Sequence, residues 1–397
     1  MRTPEVDGRA SVLERQRNLK MATSAHAYVR GNTLKFYQWL EASDSTLPQG
    51  PPVWICGDCH LGNLGPLADM DGRVDIQIRD LDQTVIGNPA HDLVRLGLSL
   101  AMAARGSDLP GVTTAQMIEQ MISGYIHGLE HPGRSVNIDD PMPDSVRAVI
   151  KMSLSRKWRH LARERISDVN PTIPLGRCFW ALSAEEKTAI RKLFEDTALH
   201  AMVTGLLRHD ARGTVTVRDA AYWMKGCSSL GRLRFAVLVE VRDGDSRRFG
   251  LVDIKEAVQA AAPRSVVSMP RDNAERVVTG ARAIAPFLGD RMRAARLSGR
   301  SVVVRELMPQ DLKLEIDRLS RLDATRAARF LASVVGRAHG GQMDDTVRRG
   351  WRDELNRGHS TELNAPFWLW ASVVDLVADH EAAYLDHCRR YALAEAA

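Results

Sequence analysis

The chain has 397 residues, of which 44% are hydrophobic and 26% charged, as is typical of a globular protein. Its net charge of +5 reflects 54 basic against 49 acidic residues, a small excess that fits an anionic ligand such as a nucleotide and does not point to a nucleic-acid polymer. No stretch approaches the roughly 18 uninterrupted apolar residues of a membrane span, and the first residues lack the apolar core of a secretory signal. The five cysteines are an odd and sparse set, which fits a reducing compartment. We therefore expect a cytoplasmic protein without a membrane partner.

The elements predicted along the chain fall into three regions. For the first region, apolar periodicity and turn signals predict helix over 11–45, strands over 53–56 and 74–78, and helices over 92–104, 112–132, 140–165 and 183–207. Runs rich in β-branched residues begin near residue 213 and predict a small antiparallel sheet, with a hairpin at 242–245, a helix at about 271–287 and a last strand at 301–307. The chain returns to helix from residue 311. The predicted divisions are 1–212, 213–310 and 311–397.

Oxygen-bearing side chains follow the two predicted strands of the first region. Asp58 and Asn63 lie on one short loop after the first strand, and Asp80 and Asp82 follow the second. A magnesium-dependent phosphoryl transferase needs such a set, because one carboxylate orients the attacking hydroxyl while an Asn and an Asp hold the metal on the phosphates. The pattern therefore predicts a phosphoryl-transfer site at these strand ends.

The predicted sheet carries a hairpin that suits phosphate binding. Between its first two strands lie Gly226, Ser228, Ser229 and Gly231. Small residues on a turn offer backbone N–H groups without side-chain obstruction. By itself the pattern also fits an ordinary hairpin turn.

Lys255 ends the apolar strand that follows this hairpin. A lysine there could mark an exposed strand end, but in protein kinases the phosphate-contacting lysine occupies this strand, and a helix carrying its glutamate partner follows. Glu275 on the next predicted helix is the expected partner, and Glu256 is the rival. The last strand would end in a hinge whose backbone pairs with an adenine edge, formed by Arg305, Glu306 and Leu307.

These parts stand in an unusual order for a kinase. The acidic loops, at residues 58–63 and 80, precede the glycine hairpin at 226–231 and Lys255, whereas an ordinary kinase chain has the hairpin and lysine first. A circular permutation reconciles the two orders. The predicted fold is α+β, a two-lobed, protein-kinase-like fold that is circularly permuted and has a large helical lobe.

Six segments carry a resemblance to a bacterial family. They are Ala27–Gly31, Gly57–Asn63, Arg79–Thr84, His91–Leu96, Ile254–Ala257 and Arg276–Val278. On these segments, which are spread over most of the chain, the sequence resembles the family called domain of unknown function 2252.

Gly57–Asn63 and the segment around Asp80 also resemble, locally, the aminoglycoside and choline kinases. The resemblance implies Asp58 as catalytic base and Asn63 and Asp80 as metal ligands. It also implies Asp92 as a structural acceptor that braces the catalytic loop. Asp82 is either a second metal ligand or a carboxylate that orders its loop.

Other features leave alternatives open. Cys56–His60 matches the Cys-x-x-Cys-His haem pattern, but the absence of an export signal argues against haem attachment. The two cysteines could also be a redox pair, but strand alternation would turn Cys56 to the packing side of the sheet, which favours two buried thiols. His60 is expected to support the loop, and His339 to end a helix. Arg30 either reaches the phosphates or pairs with a carboxylate.

The predicted function is transfer of the γ-phosphoryl group of ATP, with Mg²⁺, to a hydroxyl of a small molecule such as an antibiotic, sugar or metabolite. Two alternatives are a kinase-like AMP transferase and a nucleotide-binding pseudokinase scaffold. The sequence does not indicate the acceptor or the oligomeric state.

Overall fold

The computed structural model describes residues 6–43, 47–133, 142–157, 172–206, 213–227, 230–263, 267–312, 320–357 and 364–393. The helices within these ranges are α1 (Arg9–Met21), α2 (Ala25–Gly31), α3 (Thr33–Ala42), α4 (Ala90–Gly106), α5 (Gly111–Glu130), α6 (Asp144–Ser155), α7 (Ala184–Leu193), α8 (Thr197–Leu206), α9 (Asn273–Ile284), α10 (Pro286–Gly289), α11 (Arg321–Gly340), α12 (Asp345–Leu355) and α13 (Phe367–Tyr391). No helix within the described ranges has the length and apolar content that crossing a membrane requires.

The strands form one large and two small antiparallel sheets. They are β1 (Val53–Ile55), β2 (Leu64–Ala68), β3 (Val74–Ile78), β4 (Val85–Gly87), β5 (Phe179–Trp180), β6 (Thr214–Trp223), β7 (Arg234–Asp243), β8 (Ser246–Glu256), β9 (Met292–Leu297) and β10 (Arg300–Glu306). β1 pairs with β4 and β2 with β3, while the six-stranded sheet has the order β5-β6-β7-β8-β10-β9. The predicted mixture of helices and antiparallel sheet is confirmed at this level.

Helices α5 and α11 pack with their backbones nearly touching. A Cβ added to Gly124 of α5 would lie 2.0 Å from the carbonyl oxygen of Arg329, and one added to Gly336 of α11 would lie 2.1 Å from that of Tyr125. Glycine is therefore required at both positions, because any side chain would force the helices apart. The close packing brings Tyr125 next to His339, which bears on the site described below.

Helix α9 connects the large sheet to the first region. It begins at its N-cap Asp272, whose side chain accepts from the backbone N–H groups of Ala274 and Glu275. Its apolar residues Val277 and Val278 join the same buried cluster as Ile55 of β1. The sheet-bearing segment therefore shares a core with the strands that carry the acidic loops.

Several boundaries differ from those predicted. The helix predicted over 183–207 begins with the expected Ser183–Glu186 capping box but is interrupted after Leu193, giving α7 and α8. Edge strand β5 comes from residues 179–180, ahead of the predicted boundary at 213. Of the helix predicted over 140–165, α6 covers 144–155, and residues 158–165 lie outside the described ranges.

Candidate functional site

One cleft between the large sheet and the acidic loops collects most of the predicted site residues. Its lining includes Asp58, Asn63, Asp80, Asp82, Gly226, Lys255 and Arg305 from the predicted set, together with Arg30, His60, Arg79, Lys225 and Arg234. Of the described lining side chains, six are Arg or Lys and three are Asp, which leaves an excess of three positive charges. Glu275, Glu306, Leu307 and Gly231 are not part of this lining.

Gly57 forms the turn that brings Asp58 out of β1. Its φ is +74°, and an added Cβ would lie 2.2 Å from the carbonyl oxygen of Gln83. The left-handed backbone and the contact with the second acidic loop both demand glycine. The backbones of the two loops thus approach each other closely at Gly57.

Asp58 is buried and ion-paired. Nε and Nη2 of Arg95 donate to its Oδ1 at 3.0 and 2.8 Å, and Nδ2 of Asn63 donates to its main-chain oxygen at 2.9 Å. Burial raises the pKa of Asp58 above its ordinary value, and the nearby Arg95 offsets part of this increase. Arg95 comes from α4 and is fully buried, a residue that the sequence analysis missed.

His60 supports the loop, as expected. Its Nδ1 accepts from the backbone N–H of Gly62 at 3.1 Å, and its Nε2 lies 3.9 Å from Oδ2 of Asp58. Burial and the cations Arg30 and Arg95 lower the pKa of His60 well below its ordinary value. A neutral imidazole of this kind is suited to holding the turn.

Asp92 braces the backbone that leads into Asp58. Its Oδ2 and Oδ1 accept from the backbone N–H groups of Cys56 and Gly57 at 2.7 and 3.0 Å. Nε2 of His339 lies 3.2 Å from the same Oδ2. The role implied for Asp92 by resemblance is thus matched by its contacts. His339 lies in the last turn of α11, as expected for a residue that ends a helix, while the C-cap residue itself is Gly341.

The bracing network continues through Tyr125 to α12. Nε1 of Trp351 donates to the Tyr125 hydroxyl oxygen at 3.0 Å, and that hydroxyl lies 2.9 Å from Nδ1 of His339. Because an indole N–H can only donate, the arrangement that satisfies every group has Tyr125 donating to Nδ1 and Nε2–H of His339 donating to Asp92. This gives the whole chain of hydrogen bonds a single direction, from Trp351 to Asp92.

Lys255 faces Asp80 and Asp82 across the cleft. Its Nζ lies 3.4 Å from Oδ1 of Asp80 and contacts Oδ2 of Asp82 more closely. Burial works against ionisation of Asp80, but Lys255, Arg305 and Arg234 together hold its pKa well below the ordinary value. Burial and the Asp80 charge raise the pKa of Asp82.

Neither predicted glutamate pairs with Lys255. Glu275 is exposed on the first turn of α9, and Glu256 accepts from the Leu233 N–H at 2.9 Å and pairs with Arg300 at 2.8 Å. The expected lysine–glutamate pair is therefore wrong within the described structure. Two aspartates of the acidic loop take its place.

Arg276, the neighbour of Glu275 on α9, points inward and is buried. Its guanidinium is buried and donates to the carbonyl oxygens of Asp82 and Val258 at 3.0 and 2.9 Å, and also to that of Thr84. Helix α9 thereby holds the backbone of the second acidic loop. The sequence analysis noted the Arg276 segment but assigned this residue no role.

The predicted hinge is already engaged within the protein. The Leu307 N–H donates to the carbonyl oxygen of Leu251 at 2.8 Å, and Nη1 of Arg291 donates to that of Glu306 at 3.3 Å. Arg305 reaches the cleft through its side chain, which pairs with Asp253 at 3.2 Å. The expectation that backbone groups of 305–307 lie open to an adenine edge is therefore corrected.

The Glu306 carboxyl predicts how the stability of the protein depends on pH. Burial raises the pKa of Glu306 to about 7, opposed in part by Arg291. Between its ordinary pKa of roughly 4.5 and 7, the unfolded chain loses a proton that the folded chain keeps, so the free energy of unfolding falls as pH rises, by about 3 kcal/mol in total. We expect Glu306→Gln to remove this fall and to raise the melting temperature at pH 8 more than at pH 4.5. Equal shifts at both pH values in thermal unfolding would contradict the assignment.

The glycine hairpin is described in part. Gly226 lines the cleft with a φ of +91°, and its carbonyl oxygen accepts from Nζ of Lys20 at 3.0 Å. Gly231 also has a positive φ, at +92°. Ser228 and Ser229 lie outside the described residues.

The Cys-x-x-Cys pair is a buried thiol pair. Cys56 and Cys59 are both free and buried, and they hydrogen-bond to each other, which together with burial raises the pKa of the Cys56 thiol. This confirms the interpretation favoured from sequence.

The candidate metal ligands supply only part of the coordination that a magnesium ion needs. Among the described residues, no group of three or more His, Cys, Asp or Glu side chains is arranged to hold a metal ion. Asn63 and Asp80 lie in the same cleft, and Mg²⁺ in phosphoryl-transfer sites commonly takes one or two carboxylates together with substrate phosphates and water. The donor set fits a magnesium ion that arrives with a phosphate ligand.

A comparison with protein families gives one match over nearly the whole chain. The model of a family described as "Uncharacterized protein conserved in bacteria (DUF2252)" matches residues 9–390. No curated protein and no solved structure matches the chain.

Proposed function

The chain belongs to this uncharacterised bacterial family, and from the geometry of its cleft we propose that it is an ATP- and Mg²⁺-dependent phosphotransferase with a two-lobed, circularly permuted, protein-kinase-like fold. The acceptor is a hydroxyl group of a small molecule. This acceptor class rests on the local resemblance of the catalytic loop to antibiotic and choline kinases, which is an analogy.

A single observation carries the proposal. Lys255 and Asp80 are 175 residues apart in sequence, yet Nζ of one lies 3.4 Å from Oδ1 of the other. Asp58 and Asn63 line the same cleft. A lysine, a metal-binding aspartate, an asparagine and a catalytic carboxylate are the groups that kinases bring together on a nucleotide.

The order of elements in the sheet supports the permuted arrangement. The strand pair β6–β7 carries the glycine hairpin, β8 carries Lys255, helix α9 follows, and β9 and β10 complete the sheet. This is the succession of parts expected for the nucleotide-binding lobe of a kinase. The acidic loops that it faces come from earlier in the chain.

The proposed roles follow from the positions of the side chains. The acceptor oxygen attacks the γ-phosphorus, the bond from that phosphorus to the β,γ-bridging oxygen breaks, ADP leaves, and the hydroxyl proton passes to the Asp58 carboxylate. Asn63 and Asp80 would hold Mg²⁺, which when bound offsets the negative charge of the phosphates. Lys255 would bind the phosphate oxygens.

The cleft must open or rearrange to admit ATP. It encloses about 130 Å³, whereas pockets for ligands of drug size hold roughly 300–1,000 Å³. The Lys255 ammonium, which now contacts Asp82, would exchange this carboxylate for phosphate oxygens. Such an exchange keeps the buried charge paired throughout.

Asp80→Asn is the variant that tests this function. We expect it to remove the Mg²⁺ dependence of ATP affinity and to lower turnover by at least about 10²-fold, because a neutral amide stabilises a bound cation poorly. Turnover would be followed with labelled ATP across a panel of hydroxyl compounds. Transfer of the γ-label supports phosphotransfer, whereas transfer of the α-label would establish the AMP transferase instead.

Asp75→Asn provides the matched control. Asp75 is buried on the strand that leads to Asp80, but it lies outside the cleft lining. Its substitution should leave turnover unchanged. Wild-type turnover in Asp80→Asn, or wild-type protein that binds ATP without transferring any label, would refute the phosphotransferase.

A further inference from the structure

Arg30 occupies the cleft beside the catalytic loop. It lies in the last turn of α2, and its guanidinium packs over Gly62, where an added Cβ would be 2.8 Å from Nη2. Gly62 is the neighbour of Asn63, within the loop that begins at Asp58. The backbone of this loop therefore leaves space for the Arg30 side chain.

Arg30 differs from the other arginines of the cleft. Arg234 and Arg305 pair with Asp253, and Arg79 donates to the carbonyl oxygen of Asp311. Arg30, by contrast, makes no hydrogen bond or ion pair with any residue in the described part of the chain. The planar donor fork of its half-buried guanidinium is thus available to a ligand.

The charged surroundings of Arg30 are mainly positive. Besides burial, Arg30 and Arg95 both lower the pKa of His60. Burial raises the pKa of the Cys227 thiol, and Lys20, Arg17 and Arg30 together oppose this rise. A guanidinium without a contacting carboxylate, in a cleft that carries an excess of three positive charges, gains free energy when an anion binds. Arg matches phosphate oxygens with two parallel N–H donors.

We propose that Arg30 binds the γ-phosphoryl group of ATP, the group that is transferred. This rests on the proposed function and extends it, because it assigns a phosphate-binding residue from the helical region before β1, in addition to Lys255 of the sheet. Its location against Gly62 places it beside Asp58 and Asn63. The β-phosphate and adenosine would then have no direct contact with Arg30.

The test compares ATP and ADP affinities in Arg30→Gln. Titrations with Mg²⁺ are expected to show a loss of about 10–100-fold for ATP, the effect of one charged hydrogen-bonded contact, and less than about twofold for ADP. Arg30→Lys keeps the charge but lacks the donor fork, so it should recover part of the ATP affinity. Arg296→Gln, at an arginine exposed on β9 and outside the cleft lining, is the matched control and should change neither affinity.

The possible results separate the two proposals. Unchanged ATP affinity in Arg30→Gln, or equal losses for ATP and ADP, would overturn the Arg30 assignment and leave the phosphotransferase standing. Wild-type protein that binds neither nucleotide would overturn both. The unliganded Arg30→Gln protein should melt at the wild-type temperature or higher, since the wild-type guanidinium has no partner to lose. A lower melting temperature would show that Arg30 supports the fold.

Discussion

Asp58→Asn is expected to lower kcat by about 10²–10⁴-fold while leaving KM for ATP within a few-fold of wild type. The amide cannot take the acceptor proton, and general-base catalysis contributes an effect of this size. The amide oxygen can still accept from Arg95, which binds Oδ1 in the wild type, so the fold should be retained. Steady-state kinetics with the identified acceptor measures both parameters.

Asp379→Asn is the control for this variant, because Asp379 also pairs with a cation, Lys35 at 2.8 Å, but lies outside the cleft lining. Its kcat should match wild type. Burial raises the pKa of Asp58, so wild-type kcat should fall on acidification at a higher pH than for an exposed aspartate. Full kcat in Asp58→Asn would show that Asp58 is not the base.

Asp92→Ala is expected to reduce the free energy of unfolding by about 2–6 kcal/mol. Asp92 is fully buried, and its removal leaves the N–H groups of Cys56 and Gly57 without acceptors. Each unsatisfied buried N–H costs about 1–3 kcal/mol. Chemical denaturation gives this quantity directly. Because Gly57 leads into Asp58, turnover should fall even in molecules that remain folded.

Two variants test whether the stability lost in Asp92→Ala comes from the unpaired N–H groups of Cys56 and Gly57. Asp92→Asn keeps one acceptor oxygen but places its amide NH₂ group against the second backbone N–H. Its free energy of unfolding should therefore lie between those of the wild type and Asp92→Ala. Asp69→Ala removes a carboxylate that also accepts backbone N–H groups, those of Asp71 and Arg73, in the outer β2–β3 turn. It should affect stability modestly and turnover not at all. A fully stable Asp92→Ala protein would rule out the bracing role.

The elements that sequence predicts well are those with strong local patterns. The β7–β8 hairpin has its Asp243–Gly244 turn, with a φ of +54° at Gly244, as the residue types indicate. Strand β2 escaped prediction because it contains Gly65 and Pro66, which locally disfavour a strand, yet Pro66 pairs with Ile76 in the ladder. Burial of all five β2 residues outweighs that local preference.

The site residues also divide into those that a local sequence pattern predicts and those that it does not. Asp58, Asn63, Asp80 and Lys255 could be identified because each ends or follows a strand pattern, and the structure brings all four to one cleft. Glu275 and Arg276 show the limit of this approach. Successive helical residues differ by about 100° around the axis, so an uncertainty in helix rotation exchanges an exposed glutamate for a buried arginine.

The partners of the acids depend on tertiary packing. Arg95 lies in an almost wholly apolar helix, where sequence gives no sign that it pairs with Asp58. The Asp253–Arg234 and Asp253–Arg305 pairs likewise join neighbouring strands whose register is fixed only in the folded sheet. Such pairings follow from the fold and cannot be derived from spacing.

The hydrogen bond between Asp92 and His339 spans 247 residues, and this has a consequence for biosynthesis. A ribosome delivers the acidic loops before the strands of the large sheet, while the histidine that completes their support emerges only after those strands. The entropy lost on joining such distant points grows slowly with their separation, but contacts of this kind delay folding. The support of the Asp58 loop is therefore completed only after the intervening sheet has been synthesised, so the proposed reactive centre would form later than the loops that carry its acids.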